Sequence, residues 1–243
     1  VSSRTESASD VDAYLLRRTD FSEADLVLLV FTLQLGNISV MARAARKSTR
    51  RFSGALEPFH RVVLRISPPR SGELHQLREA RLDEVRYGLV ADLRAMEVGG
   101  RVLGWVRRAL PSATPEPEIF RALDQLFTRL NELSPTALLN RDALLAEFGL
   151  TLLRQLGWAL QLSRCVRCGK PCPPNAPAML DPHRGGLVCR DCGGARVRIE
   201  AALRRRMENG SYDALSELNP VDANFALDLV EKALHAHPGL EEE

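Results

Sequence analysis

Four of the five cysteines fall into two short pairs, Cys165-x2-Cys168 and Cys189-x2-Cys192, with twenty residues between them. A C-x2-C pair folds into a knuckle that presents two sulfurs to one ion, and Gly169 and Gly193 directly follow the knuckles. Two knuckles closed by a hairpin supply the four tetrahedral thiolates that zinc prefers, with no position left for water. The expectation is one structural Zn2+ per chain, held by Cys165, Cys168, Cys189 and Cys192. Cys172, flanked by Pro171 and Pro173, reads as a free thiol, although it could replace Cys168. His183 is an alternative fourth ligand in a mixed site. The alternative of four unrelated core cysteines fits poorly with the doubled spacing and the Pro/Gly-rich surroundings, which offer little apolar surface to bury. Metal binding would supply the folding free energy that such an insert lacks.

The elements around this insert change character along the chain. Residues 11–78 read as β. Asp25 to Leu33 is too apolar for an edge strand, Gly36-Asn37 signals a turn, and Ile38 to Ala42 and Arg61 to Ile66 resume the pattern. Glu73 to Arg78 reads as one more strand, and Ser48 to Phe59 as a connection containing a helical turn. Four or five short strands suit a small closed barrel. After Arg78 the apolar period becomes helical: Leu82, Val85, Leu89, Leu93 and Met96 share one face that ends at Gly99-Gly100. Thr114-Pro115 and Ser134-Pro135 read as helix starts, and helical sequence returns at Glu200 to Met207 and Ala223 to His235. The predicted organisation is α+β: a barrel domain over 1–79, and a helical domain over 80–243 carrying the zinc-finger insert at about 163–197.

The net charge of +2 is uninformative, but its distribution is not. No acid occurs from Leu26 to Leu56, whereas Arg43, Arg46, Lys47, Arg50 and Arg51 fall within nine positions. Arg164 to Arg206 carries nine arginines and one lysine against Asp181, Asp191 and Glu200. From Met207 onward there are nine acids and only Lys232. Two basic segments and one acidic end predict a nucleic-acid face. Guanidinium forks, with Ser48 and Thr49 between them, could track phosphates, and Phe52 is a candidate base-stacking platform unless it belongs to the core. Arg204, Arg205 and Arg206 are a second candidate for that role.

Other function classes are disfavoured. No phosphate loop, H-E-x-x-H, G-x-S-x-G or G-x-G-x-x-G motif occurs, the histidines lack evident partners, and the acids form no nuclease-like cluster. No catalysis is expected. No apolar run approaches the ~20 residues of a membrane span. Val1 to Asp12 is polar without an apolar signal core, so a cytoplasmic location is expected.

The segment Ala42-Arg43-Ala44-Ala45-Arg46-Lys47-Ser48, followed by Leu56-Glu57-Pro58-Phe59, resembles the bacterial RecO recombination-mediator and DNA-repair family. The β N-terminal part, helical remainder and inserted cysteine pairs extend that resemblance over essentially the whole chain. It implies an N-terminal OB-fold, a helical domain and a zinc finger, with a non-catalytic role. In that role single- and double-stranded DNA are bound and complementary strands annealed. It also implies helping to load RecA onto strands coated by single-strand-binding protein (SSB), together with RecR and RecF. Arg43, Arg46 and Lys47 match the family's basic segment, and the four cysteines match its zinc-bearing branch. The SSB-tail pocket is implied in the helical domain, without assignable residues. Competing readings are a zinc-ribbon transcription or RNA-binding factor, a protein-interaction scaffold, and an unrecognised nuclease.

Overall fold

The computed structural model describes residues 8–48, 51–52, 54–69, 71–133 and 140–237. The chain divides into two compact units, Val1–Glu132 and Leu133–Glu243.

The first unit starts as a five-stranded closed barrel in the order β1-β2-β3-β5-β4: β1 (Ser9–Asp20), β2 (Leu26–Thr32), β3 (Gly36–Ala42), β4 (Arg61–Ser67) and β5 (His75–Glu84). Each strand alternates apolar residues inward, so Val11, Ala13 and Leu15 of β1 meet Leu26, Leu28 and Val30 of β2, and Val62, Leu64 and Ile66 of β4. β1 pairs with β4 through its first half and with β2 through its second, and a register shift between Leu15 and Arg17 lets it bend around the barrel. Closure comes from a short parallel seam in which Val40 and Met41 of β3 face His75 and Gln76 of β5. This is an OB-like barrel, as expected.

The second apolar face of β1 and β2 explains why β2 is nearly continuous in hydrophobic residues. Tyr14 and Phe31 point outward and are fully buried against Phe120 and Phe127, with ring centroids 5.3–5.5 Å apart. Those phenylalanines belong to α3 (Pro117–Glu132), which follows α1 (Tyr87–Ala91) and α2 (Leu93–Ala109). Three local readings change. Gly36 opens β3 and Asn37 is buried, donating from its amide nitrogen to the carbonyls of Val106 and Leu110 (3.4 and 3.3 Å), so the turn lies just before them. The helix expected from Leu82 is instead the end of β5, and Asp92 caps α2 by accepting from Arg94 and Ala95 N–H. α2 also runs through Gly99-Gly100, because a Cβ on Gly99 would lie 2.8 Å from the Phe59 ring. Helix propensity there yields to a close approach. The described part of 48–59 forms successive turns with no helix, and α3 begins at Pro117, beyond Thr114-Pro115.

One buried charged group ties the barrel to α3. Arg86, 2 % exposed, donates to the Tyr14 hydroxyl (2.9 Å), the Glu84 carboxylate (2.9 Å), Asp124 Oδ1 (2.7 Å) and Thr128 Oγ1 (3.1 Å). Tyr14 donates in turn to Asp124, whose second oxygen accepts from Arg61 (3.2 Å). Burial pushes the Tyr14 phenol well above its usual range, so it stays protonated as a donor. Arg86 N–H also donates to His60 Nδ1 (3.1 Å), and burial holds that imidazole below its ordinary value, keeping it a neutral acceptor.

The second unit packs α4 (Arg141–Gln155) against α7 (Pro220–His235), with α5 (Ala201–Asn209) and α6 (Tyr212–Ser216) beside them. Phe148 and Leu152 of α4, and Ala226 and Val230 of α7, are among its buried residues. Asn219 caps α7 by accepting from Asp222 N–H, with Pro220 at the first helical position. The Ser134-Pro135 start signal lies outside the described residues. Between α4 and α5 sits a four-stranded sheet in the order β6-β8-β7-β9: β6 (Gln161–Cys165), β7 (Ala178–Asp181), β8 (Gly186–Leu187) and β9 (Val197–Ile199). β5 thus runs five residues past the expected barrel end at 79, and α1–α3 cluster with the barrel. Among the described residues, no helix is long and apolar enough to cross a membrane.

Removing Arg86 leaves buried acceptors and Asp124 without their cation. Arg86→Ala should lose about 3–5 kcal/mol in urea unfolding monitored by tyrosine and tryptophan fluorescence. Arg198→Ala, an exposed ion-pair partner of Glu200, should lose less than about 1 kcal/mol.

Candidate metal centre and nucleic-acid interface

Cys165 ends β6, opposite Leu187 of β8, and Val166 N–H bonds to the Leu187 carbonyl (2.8 Å). The chain then turns back on itself: Gly169 N–H reaches the Cys165 carbonyl (2.9 Å), and Cys165 N–H the Lys170 carbonyl (2.9 Å). Gly169 adopts φ 73°, the left-handed region that closes such a turn. The second knuckle repeats the device. Cys189 precedes a 3₁₀ turn over Arg190–Cys192, Gly194 N–H bonds to the Cys189 carbonyl (3.0 Å), and Gly193 and Gly194 have φ 97° and 66°. Arg167 Nη1 crosses to the Cys192 carbonyl (2.9 Å), and Lys170 pairs with Asp191 (2.8 Å), linking the two knuckles.

As a result, the sulfurs of Cys165, Cys168, Cys189 and Cys192 all lie within 4.8 Å of one another. Cys168 Sγ and Cys189 Sγ are 3.7 Å apart, close to the ~3.8 Å edge of a tetrahedron with ~2.3 Å metal–sulfur bonds. The backbone N–H of Cys189, first, and those of Cys168 and Arg167 pull the Cys165 thiol down to about 6. The Cys192 thiol is pushed up to about 12, chiefly by its hydrogen-bonded contact with Cys168 and then Cys189. Four crowded thiols cannot all ionise unaided; a bound cation would let them do so. The donor set fits a metal ion. Neither Cys172 nor His183 joins the cluster.

The basic segment lies on the β3–β4 connection. Asp25 Oδ1 accepts from Ala44 N–H (2.8 Å), Arg46 N–H bonds to the Ala24 carbonyl (3.1 Å), and Phe52, Ala55 and Leu56 plug into the barrel core. Phe52 is therefore core and presents no face to a base. Arg51 lies 5.0 Å from the Phe52 centroid and donates to the Arg43 carbonyl (2.8 Å), so it braces the loop. Arg43 and Lys47 are exposed and, among the described residues, have no side-chain partner; Arg46 is exposed and pairs with Asp20 (3.7 Å). Arg50 lies outside the described residues. Of these side chains Arg46 borders a groove of about 540 Å³ that also contains Arg18, Asp20 and Glu57, with Arg18 and Glu57 paired at 3.1 Å. Phe21, 66 % exposed on the β1–β2 turn, is a surface aromatic that no sequence pattern distinguished from core.

The alternative cations serve the fold. Arg204 is 1 % exposed and donates to the carbonyls of Leu162 (2.7 Å), Pro173 and Ala176. Arg205 reaches Asn175, and Arg206 reaches the Ala214 carbonyl and Glu217. They are clamps for the segment between β6 and β7 and for α6, so Arg204–Arg206 do not form a free cationic face. Arg164, Arg190 and Arg196 are exposed without side-chain partners among the described residues. Arg86 and Arg204 escaped sequence reading because nothing in local spacing separates a buried arginine from a surface one.

An OB-like barrel bearing an exposed basic loop, followed by helices that carry a four-cysteine knuckle pair able to hold a metal ion, defines the class of protein. Known proteins sharpen that class. Residues 8–85 match the family profile described as "Recombination protein O N terminal", and residues 91–241 match "Recombination protein O C terminal". The chain is 34% identical over 230 residues to the DNA repair protein RecO of Geobacter metallireducens, covering 93% of this chain and 91% of that protein. It is 35% identical over 233 residues to the DNA repair protein RecO of Pelobacter propionicus, covering 94% and 91%. The chain belongs to the RecO family of DNA repair proteins.

The cysteine geometry predicts one metal ion per chain. Elemental analysis of purified protein should give a ratio near one, and Cys189→Ser should bring it near zero. In the variant, amides of β6–β9 should lose hydrogen-exchange protection while those of β1–β5 keep theirs, the two lying in separate compact units.

Proposed function

We propose that this protein is a recombination mediator that binds single- and double-stranded DNA, anneals complementary strands, and helps load RecA onto SSB-coated strands with RecR and RecF. The observation that carries the reading is the loop bearing exposed Arg43, Arg46 and Lys47 on a closed OB-like barrel in a chain of this family. The partners come from the family resemblance, as does the absence of catalysis. Annealing needs no nucleotide hydrolysis, because base pairing supplies the free energy. The protein's part is to neutralise phosphates and hold strands loosely enough to test pairing. With Phe52 buried in the core, stacking has little to offer on this loop, and sequence-independent phosphate contact is the binding mode. The metal is zinc: four thiolates in a closed tetrahedral set are its structural signature. Cys165, Cys168, Cys189 and Cys192 would hold it, and it would fix the knuckles rather than take part in a reaction. We place the protein in the bacterial cytoplasm.

Asp20 and Glu57 have a role in this reading. Each holds a cation at the groove in an exposed, exchangeable pair, so each competes with phosphate and limits affinity.

Annealing of fluorescently labelled complementary oligonucleotides without nucleotide should be fast at low salt and fade as salt rises. Single-strand affinity should fall with a log–log slope of about −3.5 if five cations reach phosphate. A slope near zero removes the electrostatic basis, and unchanged affinity after charge reversal of Arg43, Arg46 and Lys47 moves the site elsewhere. Asp20→Asn with Glu57→Gln should bind single strands about threefold to tenfold more tightly at low salt. Unchanged affinity would show that the groove is not on the DNA path.

A further inference from the structure

The basic loop has no ring of its own to offer a strand, because Phe52 lies in the barrel core. The turn beside it does. Phe21, 66 % exposed on the β1–β2 turn, directly follows Asp20, which pairs with Arg46 (3.7 Å). The same turn also holds the loop's backbone: Asp25 Oδ1 accepts from Ala44 N–H (2.8 Å), and the Ala24 carbonyl accepts from Arg46 N–H (3.1 Å). Phe21 is thereby joined to the loop that carries Arg43, Arg46 and Lys47. The other exposed aromatic ring described in the first unit, Tyr87, opens α1, whose Gly88 and Leu89 N–H groups bond to Asn131 of α3.

The turn holds its shape through its own hydrogen bonds. Phe21 N–H bonds to the Asp25 carbonyl (3.1 Å), and Ser22 Oγ accepts from Asp25 N–H (3.1 Å) and Ala24 N–H (3.3 Å). A phenyl side chain has only two rotatable bonds, so seating it against a ligand costs little entropy. Its neighbours in the chain, Thr19, Asp20, Ser22 and Glu23, are exposed and polar. The ring therefore projects alone from a polar turn, without the contiguous apolar area that marks a protein-docking face. Glu23 would repel a phosphate placed beside the ring. What suits the ring is the flat, uncharged part of a nucleotide, with the strand's backbone on the cations of the adjoining loop.

We infer that Phe21 is a stacking platform for one unpaired base of a strand whose phosphates lie along the basic loop. The inference rests on the reading of that loop as a DNA interface, and adds to it a means of telling single strands from duplex. Inside a duplex each base face is covered by its neighbours, so Phe21 has a surface to meet only where bases are unpaired. Stacking tolerates any base, because every base has a π-face. It engages that face and leaves the hydrogen-bonding edge free. A base held on Phe21 is thus displayed for pairing with an incoming complementary strand.

The test is fluorescence anisotropy of the full chain with three labelled probes: an oligothymidylate, an abasic strand of the same length, and a long duplex. Wild type should bind the oligothymidylate about tenfold more tightly than the abasic strand, and Phe21→Ala should erase that difference by weakening the oligothymidylate alone. Duplex affinity should change by less than about twofold, and the salt slope should stay the same because no cation is lost. Phe21→Trp should keep the preference, with fluorescence above the wild-type background that the oligothymidylate quenches and the abasic strand does not. The position is exposed, so the thermal midpoint should be unchanged in each variant. Equal binding of the oligothymidylate by wild type and Phe21→Ala overturns the inference and leaves the ring to a protein partner. So does a loss in Phe21→Ala that is as large for the abasic strand, or an indole that the oligothymidylate does not quench. A wild-type salt slope near zero removes the DNA-interface reading itself, whereas a normal slope alongside any of those results overturns the stacking alone.

Discussion

A single guanidinium fastens the first unit together. Arg86 sits where β1, β5 and α3 meet and satisfies a phenol, two carboxylates and a hydroxyl at once. A buried cation is tolerated only when its donors are matched in this way, and here the matches come from three different elements. The aromatic layer of Tyr14, Phe31, Phe120 and Phe127 can therefore be packed in one arrangement, because the polar edge of that layer is pinned.

The second unit solves the same problem with different chemistry. The stretch from Cys165 to Cys192 is rich in prolines and glycines, and its order rests on the knuckle hydrogen bonds, on four gathered sulfurs that could hold a metal ion, and on Arg204 reaching backbone carbonyls from α5. The four-cysteine cluster joins the knuckles, and a buried guanidinium holds the segment between β6 and β7. Both units thus use an arginine where apolar contact alone would not specify position.

What could be read from the residues in order was whatever depends on near neighbours. The cysteine pairs were legible because metal-ligand spacing is a local pattern, and most strands were legible because alternation is local too. The α2 boundaries were not, since Gly99-Gly100 resembles a stop signal until the Phe59 ring is placed against it. Leu82 fits a helical stripe as well as it fits β5, and only pairing with Val62 decides between them. Among the arginines, sequence could count the charges but not sort them: Arg43 faces solvent, Arg51 braces its own loop, and Arg86 and Arg204 are interior. Phe52 and Phe21 were indistinguishable by type, and the fold buries one and exposes the other.

The parallel seam between β3 and β5 governs when the molecule acquires its charged loop. Two residue pairs close the barrel there, and the chain between them contains the whole β3–β4 connection. That loop is held by Phe52, Ala55 and Leu56 in the barrel interior and by a hydrogen bond from Ala80 N–H on β5 to the Arg51 carbonyl (3.0 Å). The Ala80 bond forms only when β5 docks, whereas Ala44 and Arg46 at the loop's start are bonded to Asp25 and Ala24 of the β1–β2 turn. Contacts so distant along the chain are slow to form, so the Arg51 end of the loop is fixed only by closure. A barrel whose seam has not closed has the same arginines, with Arg51 not yet held by β5.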